Sequence, residues 1–194
     1  LNAKVILPLL FFILTEPSQL MANRSAWTFT SSLAFKRKFR EGLLPFVEQY
    51  VFEKGKGVTL TKGDDAILFA YGPVMLNEAL LASEILAKKK FGLKVVNMPW
   101  LNIVNAIWLI KVLNGAPKIF VLEDHSLIGG LGYFLINQLV ASGLLSAKTF
   151  KKFGVESWPA GGRPDEVLKF HGLDGETLAE RILGKGDEYN GKRA

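Results

Sequence analysis

Residues 66–98 read AILFAYGPVMLNEALLASEILAKKKFGLKVVNM, and this stretch decides the fold. Ala66–Tyr71 is a continuous apolar run of strand length, the pattern of a strand covered on both faces in a parallel sheet. Gly72-Pro73 ends it, and Pro73 suits the first turn of a helix, where its missing N–H has no partner to lose. The spacing predicts a helix from about Val74 to Lys90. Asn77, Glu84 and Lys88 recur at intervals of seven and four and share one face, while Leu76, Ala79, Leu80, Leu81, Ile85 and Leu86 cover the rest. Lys88–Lys90 oppose the helix dipole at its end, and Gly92 is the expected cap. Leu93–Met98 then returns to the strand pattern.

The unit repeats downstream. Asn102–Asn114 is predicted helical and stopped by Asn114-Gly115, Lys118–Leu122 is a third strand, and a glycine-rich turn leads into a helix over Gly130–Ser142. Phe150–Glu156 is a fourth strand, and Pro164–His171 and Gly175–Leu183 are helices with acidic first turns. Strand–helix alternation with short connections implies an α/β fold. The expectation is a three-layer α/β/α arrangement with a mainly parallel sheet and right-handed crossovers. Upstream the periodicity stops. Gly55-Lys56-Gly57 and Lys62–Asp65 mark an exposed, turn-rich crossing. The expected division is an N-terminal segment at 1–46, the end of a preceding domain, then a linker at 47–62 and a domain at 63–190.

Composition bounds the chemistry. The 194 residues suffice for one well-packed domain and an appendage, with 49% apolar and 22% charged residues as in folded proteins. No cysteine is present, which excludes disulfides, thiolate metal sites and thiol nucleophiles and accords with a cytoplasmic location. Two histidines argue against a multi-histidine metal centre. The net charge of +6 is uneven: residues 1–62 hold 9 Lys/Arg against 4 Asp/Glu, and residues 63–194 hold 15 against 14. The run Lys36-Arg37-Lys38 with Arg40 is read as a solvated face, so no nucleic-acid partner is expected. Val5–Leu14, broken by Pro8, is too short for a bilayer, which needs about 20 residues. It is read as a buried strand or the edge of a preceding domain, with a secretory signal as the alternative. No membrane partner is expected.

Glu123-Asp124-His125, at the end of the third strand, precedes Gly129-Gly130-Leu131-Gly132. Ligands of open α/β sheets bind beyond the C-terminal ends of strands, and a glycine turn into a helix start suits an anion. The spacing is not GxGxxG and no GK[ST] follows, so neither nucleotide fingerprint is met. Asp124 or Ser126 is a possible helix cap, and His125 is either a general base or a histidine held structurally by its carboxylate neighbours. His171 reads as a cation at a helix C-terminus. Arg163, after Gly161-Gly162, suits an anion or a salt bridge. Trp100, Trp108 and Trp158 read as core or interface fillers, since no basic groove accompanies them. The candidates for an anion or interface site are therefore Asp124, His125, Gly129, Gly130 and Arg163. No catalytic residue, cofactor ligand or metal ligand is assigned. Taken alone, the residues give a fold and no reaction.

The order of motifs resembles the C-terminal domain of transketolase-type enzymes. KGDDAILFAYG at 62–72, NEALLASEIL at 77–86, VVNM at 95–98, E-D-H with G-G-L-G at 123–132 and GRPDEVL at 162–168 with GLD at 172–174 follow one another over about 120 residues. E-D-H with G-R-P looks more like transketolase than the related 1-deoxyxylulose-5-phosphate synthases and 2-oxoacid dehydrogenase beta subunits. The resemblance implies that thiamine diphosphate and a divalent metal sit in N-terminal and middle domains, and that the complete enzyme moves two-carbon ketol units between sugar phosphates. It implies a packing role and a homodimer for this domain, with no cofactor bound by this chain and no turnover in isolation. A non-enzymatic regulatory or assembly module of the same fold is the alternative. Residues 1–46 do not follow the family's middle-domain pattern.

Overall fold

The computed structural model describes residues 53–113 and 115–185. The readings made for 1–46, including Val5–Leu14 and the Lys36–Arg40 run, lie outside the described residues. Along the chain the elements are β1 (Val58–Thr59), β2 (Ala66–Ala70), α1 (Pro73–Lys88), β3 (Leu93–Asn97), α2 (Ala106–Leu113), β4 (Lys118–Ser126), α3 (Gly130–Ala141), β5 (Thr149–Val155), α4 (Pro164–Phe170) and α5 (Gly175–Ile182). The strands form one sheet in the order β1-β3-β2-β4-β5. β1 runs antiparallel to β3, and the remaining pairs are parallel.

Every residue of β2 is buried, as a central strand covered on both faces requires. Its side chains alternate between the layers. Ile67 and Phe69 join Val96, Met98, Ile119 and Val121 in a core closed by Leu109, Val112 and Leu113 of α2 and Leu131, Leu135 and Leu139 of α3. Ala66, Leu68 and Ala70 face the other way, where α1 packs with α5. The fold is the expected α/β architecture with a mainly parallel sheet between helical layers.

Four local features differ from expectation, each for a physical reason. The crossing read as exposed linker supplies β1, buries Leu60, and places the Thr61 hydroxyl where it donates to the Leu93 carbonyl at 2.7 Å and accepts the Val95 amide at 2.8 Å. A two-residue strand is too short for periodicity to reveal. α1 ends in a Schellman motif with Lys90, not Gly92, in the left-handed position (φ 59°); the Phe91 amide returns to Leu86 O. Gly92 instead donates to Asp65 Oδ2 at 2.6 Å. α2 starts four residues late because Asn105 caps it, its Oδ1 accepting the Trp108 amide at 2.9 Å. β4 continues past Leu122 to Ser126, with an irregularity in its pairing to β5 between those two residues.

Candidate functional site

β2 and β4 are neighbours, yet their chains leave for opposite faces. β2 continues into α1 and β4 into α3, which places a topological switch point at their C-terminal ends. Tyr71 follows β2 there, and Glu123, Asp124 and His125 form the end of β4. Alternation along β4 puts Glu123 and His125 on the face of Ile119 and Val121, under the start of α3, and leaves Asp124 exposed.

Glu123 is completely buried. The amides of Gly132 and Leu131 are aimed at its carboxyl group, yet neither oxygen completes a hydrogen bond. Burial raises its pKa above the ordinary carboxyl value. Those amides, His125 and Lys152 pull the other way and lose to desolvation. His125 Nε2 stands 3.5 Å from Glu123 Oε1, and Nδ1 is 2.7 Å from the Ser126 carbonyl. Glycine is required in this turn for space. A Cβ on Gly130 would collide with Glu123 Oε1 and the His125 ring, and one on Gly132 would meet Lys152 Cδ and Glu123 Oε2. The Tyr71 and His125 rings lie 6.5 Å apart. Burial pushes the Tyr71 hydroxyl up to about 12, assisted by the charges of Glu123 and Asp124. From β5, Lys152 Nζ donates to the Leu127 carbonyl and lies 5.6 Å from the Tyr133 ring centroid.

The structure therefore gathers His125, Gly129 and Gly130 at one turn, with Asp124 beside them on the exposed side of the strand. Arg163 makes its polar contacts within its own segment: it caps α4, its amide donates to Glu166 Oε2 at 3.2 Å, and its guanidinium pairs with Asp165 at 3.3 Å on the surface. The salt bridge read for Arg163 is thus formed, with its guanidinium still largely exposed. Neither Asp124 nor Ser126 caps α3. Its N-cap is Gly129 without a side-chain bond, and Ser126 Oγ accepts the Ile128 amide at 3.2 Å inside the turn. His171 sits at the C-cap of α4 as expected, but its Nε2 accepts the Ala160 amide at 3.2 Å. That nitrogen carries no proton, so the ring works as an acceptor and not as a cation. Trp108 packs edge-on to Phe69 at 6.5 Å, whereas Trp158 is 91% exposed and is no core filler.

Sequence reasoning passed over Glu123 as the central group. The signal was present: carrying the inward alternation of Ile119 and Val121 two residues further lands on it. Among the described residues no cluster of three or more potential ligands could hold a metal ion, and no helix is long and apolar enough to cross a membrane. A shallow depression lined by Lys56, Asn105, Ile107, Trp108 and Lys111 involves none of the E-D-H residues. Glu123 fills the space beneath the α3 N-terminus, so the glycine turn holds a resident carboxyl group where an anion would otherwise sit.

Known proteins supply the context for this arrangement. A protein of Methanocaldococcus jannaschii described as a putative transketolase C-terminal section is 34% identical over 137 residues, covering 70% of this chain and 42% of that protein. Transketolase of Rattus norvegicus is 27% identical over 158 residues, 80% of this chain and 25% of its own length. 1-Deoxy-D-xylulose-5-phosphate synthase of Gloeothece citriformis is 30% identical over 130 residues, 66% of this chain and 20% of the synthase. Among solved structures, a split-gene transketolase described as an inactive beta4 tetramer superposes with a TM-score of 0.63 at 26% identity, over 70% of this chain and 44% of that one. The chain thus spans less than half the length of each of these relatives. Residues 55–178 match the family described as "Transketolase, C-terminal domain", and the chain belongs to that family.

Proposed function

We propose that this chain is the C-terminal part, or a short split subunit, of a transketolase-type enzyme that transfers two-carbon ketol units between sugar phosphates. Thiamine diphosphate and its divalent metal are held by N-terminal and middle domains, and this domain serves packing and dimer assembly in the cytoplasm. The single observation that carries the reading is the match of 70% of this chain to a protein described as a "Putative transketolase C-terminal section". The packing at the E-D-H turn supports it: the one buried carboxyl group at the switch point is sealed by the α3 start and open to no substrate. Asp124, His125, Gly129, Gly130 and Arg163 are then contact residues for the neighbouring domains and not reacting groups.

The test is reconstitution. The purified chain, supplied with thiamine diphosphate and magnesium, is expected to show no ketol transfer and no calorimetric cofactor binding at micromolar concentration. Adding the separately expressed cofactor-binding part of the same enzyme is expected to give both complex formation and activity. Cofactor binding by the chain alone would overturn the assignment.

A further inference from the structure

Glu123 and His125 pose a problem of proton counting. His125 Nδ1 lies 2.7 Å from the Ser126 carbonyl oxygen, which only accepts, so Nδ1 carries the hydrogen. In a neutral ring Nε2 is then a bare lone pair. It faces Glu123 Oε1 across 3.5 Å, and an ionised carboxylate there would set acceptor against acceptor. Glu123 has no exposed surface and no completed hydrogen bond, so a lone negative charge at that place is costly. One proton resolves the conflict, whether it rides on the carboxyl group or on the imidazole. Either form gives an O···H···N contact across the gap.

We propose that Glu123 and His125 share a single proton, and that this proton is a pH-sensitive latch holding the start of α3 against the end of β4. The surroundings fit a pair of this kind. From β5 the only facing charge is Lys152, whose Nζ is committed to the Leu127 carbonyl. From β4 Asp124 is adjacent but exposed. Tyr71, after β2, stays neutral until far above neutral pH. From α3 come the uncharged amides of Leu131 and Gly132 and the Tyr133 ring beneath Lys152. When the proton leaves to solvent, carboxylate and lone pair oppose each other. His125, whose side chain is 38% exposed, has a route outward, and its departure frees the Leu127–Gly130 turn.

The full chain, uniformly labelled with nitrogen-15, tests this directly because it contains two histidines, and His171 serves as an internal control. The latch predicts a protonated Nδ1 on His125 and a single pH step seen at its Nε2. Glu123→Gln is expected to shift that step by about one pH unit or more. In the same step the protection factors of the Leu131 and Gly132 amides, with the intrinsic pH dependence of exchange divided out, are expected to fall about tenfold, and in His125→Asn this fall is expected to vanish. Should Glu123→Gln fail to fold, the carbon-13 shift of the Glu123 carboxyl group in His125→Asn decides: its titration moves if the proton is shared. A His125 step unaltered in Glu123→Gln, or a Glu123 titration indifferent to His125→Asn, overturns the proposal.

Discussion

The buried carboxyl group of Glu78 on α1 accepts the backbone amide of Gly175 at 2.7 Å, so one helix supplies an N-terminal cap to another 97 residues downstream. Asn77 Nδ2 donates to its second oxygen at 2.9 Å, and Asp174 caps the Thr177 amide beside it. The helices touch here: a Cβ on Gly175 would lie 2.7 Å from Leu81 Cβ and 3.1 Å from the Glu78 carbonyl. Glu78→Ala strands the Gly175 amide and is expected to cost about 2 kcal/mol in urea unfolding. Gly175→Ala overpacks the same contact and is expected to cost about 1–3 kcal/mol. Losses under about 0.5 kcal/mol for both would show that α5 docks without this cap.

Arg181 and Glu156 form a part-buried ion pair whose halves are unequally desolvated. The guanidinium is 4% exposed, donates to Glu156 at 2.7 Å and to the Gly172 carbonyl at 3.2 Å, and sits 4.8 Å from the centroid of the Phe153 ring. Glu156 retains 28% exposure. Glu156→Ala leaves a buried cation and is expected to cost about 3 kcal/mol, while Arg181→Met keeps the packing on Phe153 and lets Glu156 rehydrate, at about half that cost. Equal losses would contradict the asymmetry.

How much of this was legible in the sequence follows from the range of each interaction. The strand at Ala66–Ala70 and the helices after it are written in local periodicity, and the structure places them within a few residues of expectation. The E-D-H turn was visible as a motif, but its inward member was not singled out, because the extension of β4 to Ser126 depends on pairing with β5. β1 and the Glu78–Gly175 contact rest on partners far away along the chain, which no local window contains. The two readings of His125 needed the third dimension for a different reason: only the Ser126 carbonyl assigns its tautomer.

His171 holds the loop that carries the exposed Trp158. Its ring is buried, stands edge-on to Phe170 with centroids 5.0 Å apart, and accepts the Ala160 amide. His171→Phe fills the space without an acceptor, so the Ala160 amide is expected to exchange about fivefold faster, with a stability loss of about 1 kcal/mol. Unchanged exchange at Ala160 would assign the anchoring of the loop to other contacts.

Tyr71 is expected to ionise near pH 12, well above the ordinary phenol value of about 10, when tyrosinate absorbance is followed through an alkaline titration. Its folded value lies above its unfolded value. Its contribution to stability is therefore complete below about pH 10 and is lost as pH rises through about 12. Tyr71→Phe is expected to remove the step near pH 12 and flatten the alkaline fall in stability. Glu123→Gln takes away one of the two charges facing the phenol. The step then moves down but stays above the ordinary value, because burial is the larger cause. A step lost in Tyr71→Phe that lies near the ordinary phenol value of about 10 would refute the burial argument.

Glu123 sets the opposite end of the pH range. Its folded pKa is raised, so the native chain keeps this proton at pH values where the unfolded chain has released it. The stability it contributes is full below the unfolded value of about 4.3 and declines as pH rises through the folded value, by at most about 1.4 kcal/mol per pH unit. Most buried carboxyl groups that are ion-paired act in reverse and lose stability on acidification, so the sign is diagnostic. Glu123→Gln keeps the shape, stays neutral at every pH and still presents a donor to His125. Its unfolding free energy, compared with that of the parent chain from pH 4 upward, is expected to run flatter, the two curves diverging as pH increases. Parallel curves would mean that Glu123 ionises in the native state as freely as in the unfolded one, and that the α3 start tolerates the charge beneath it.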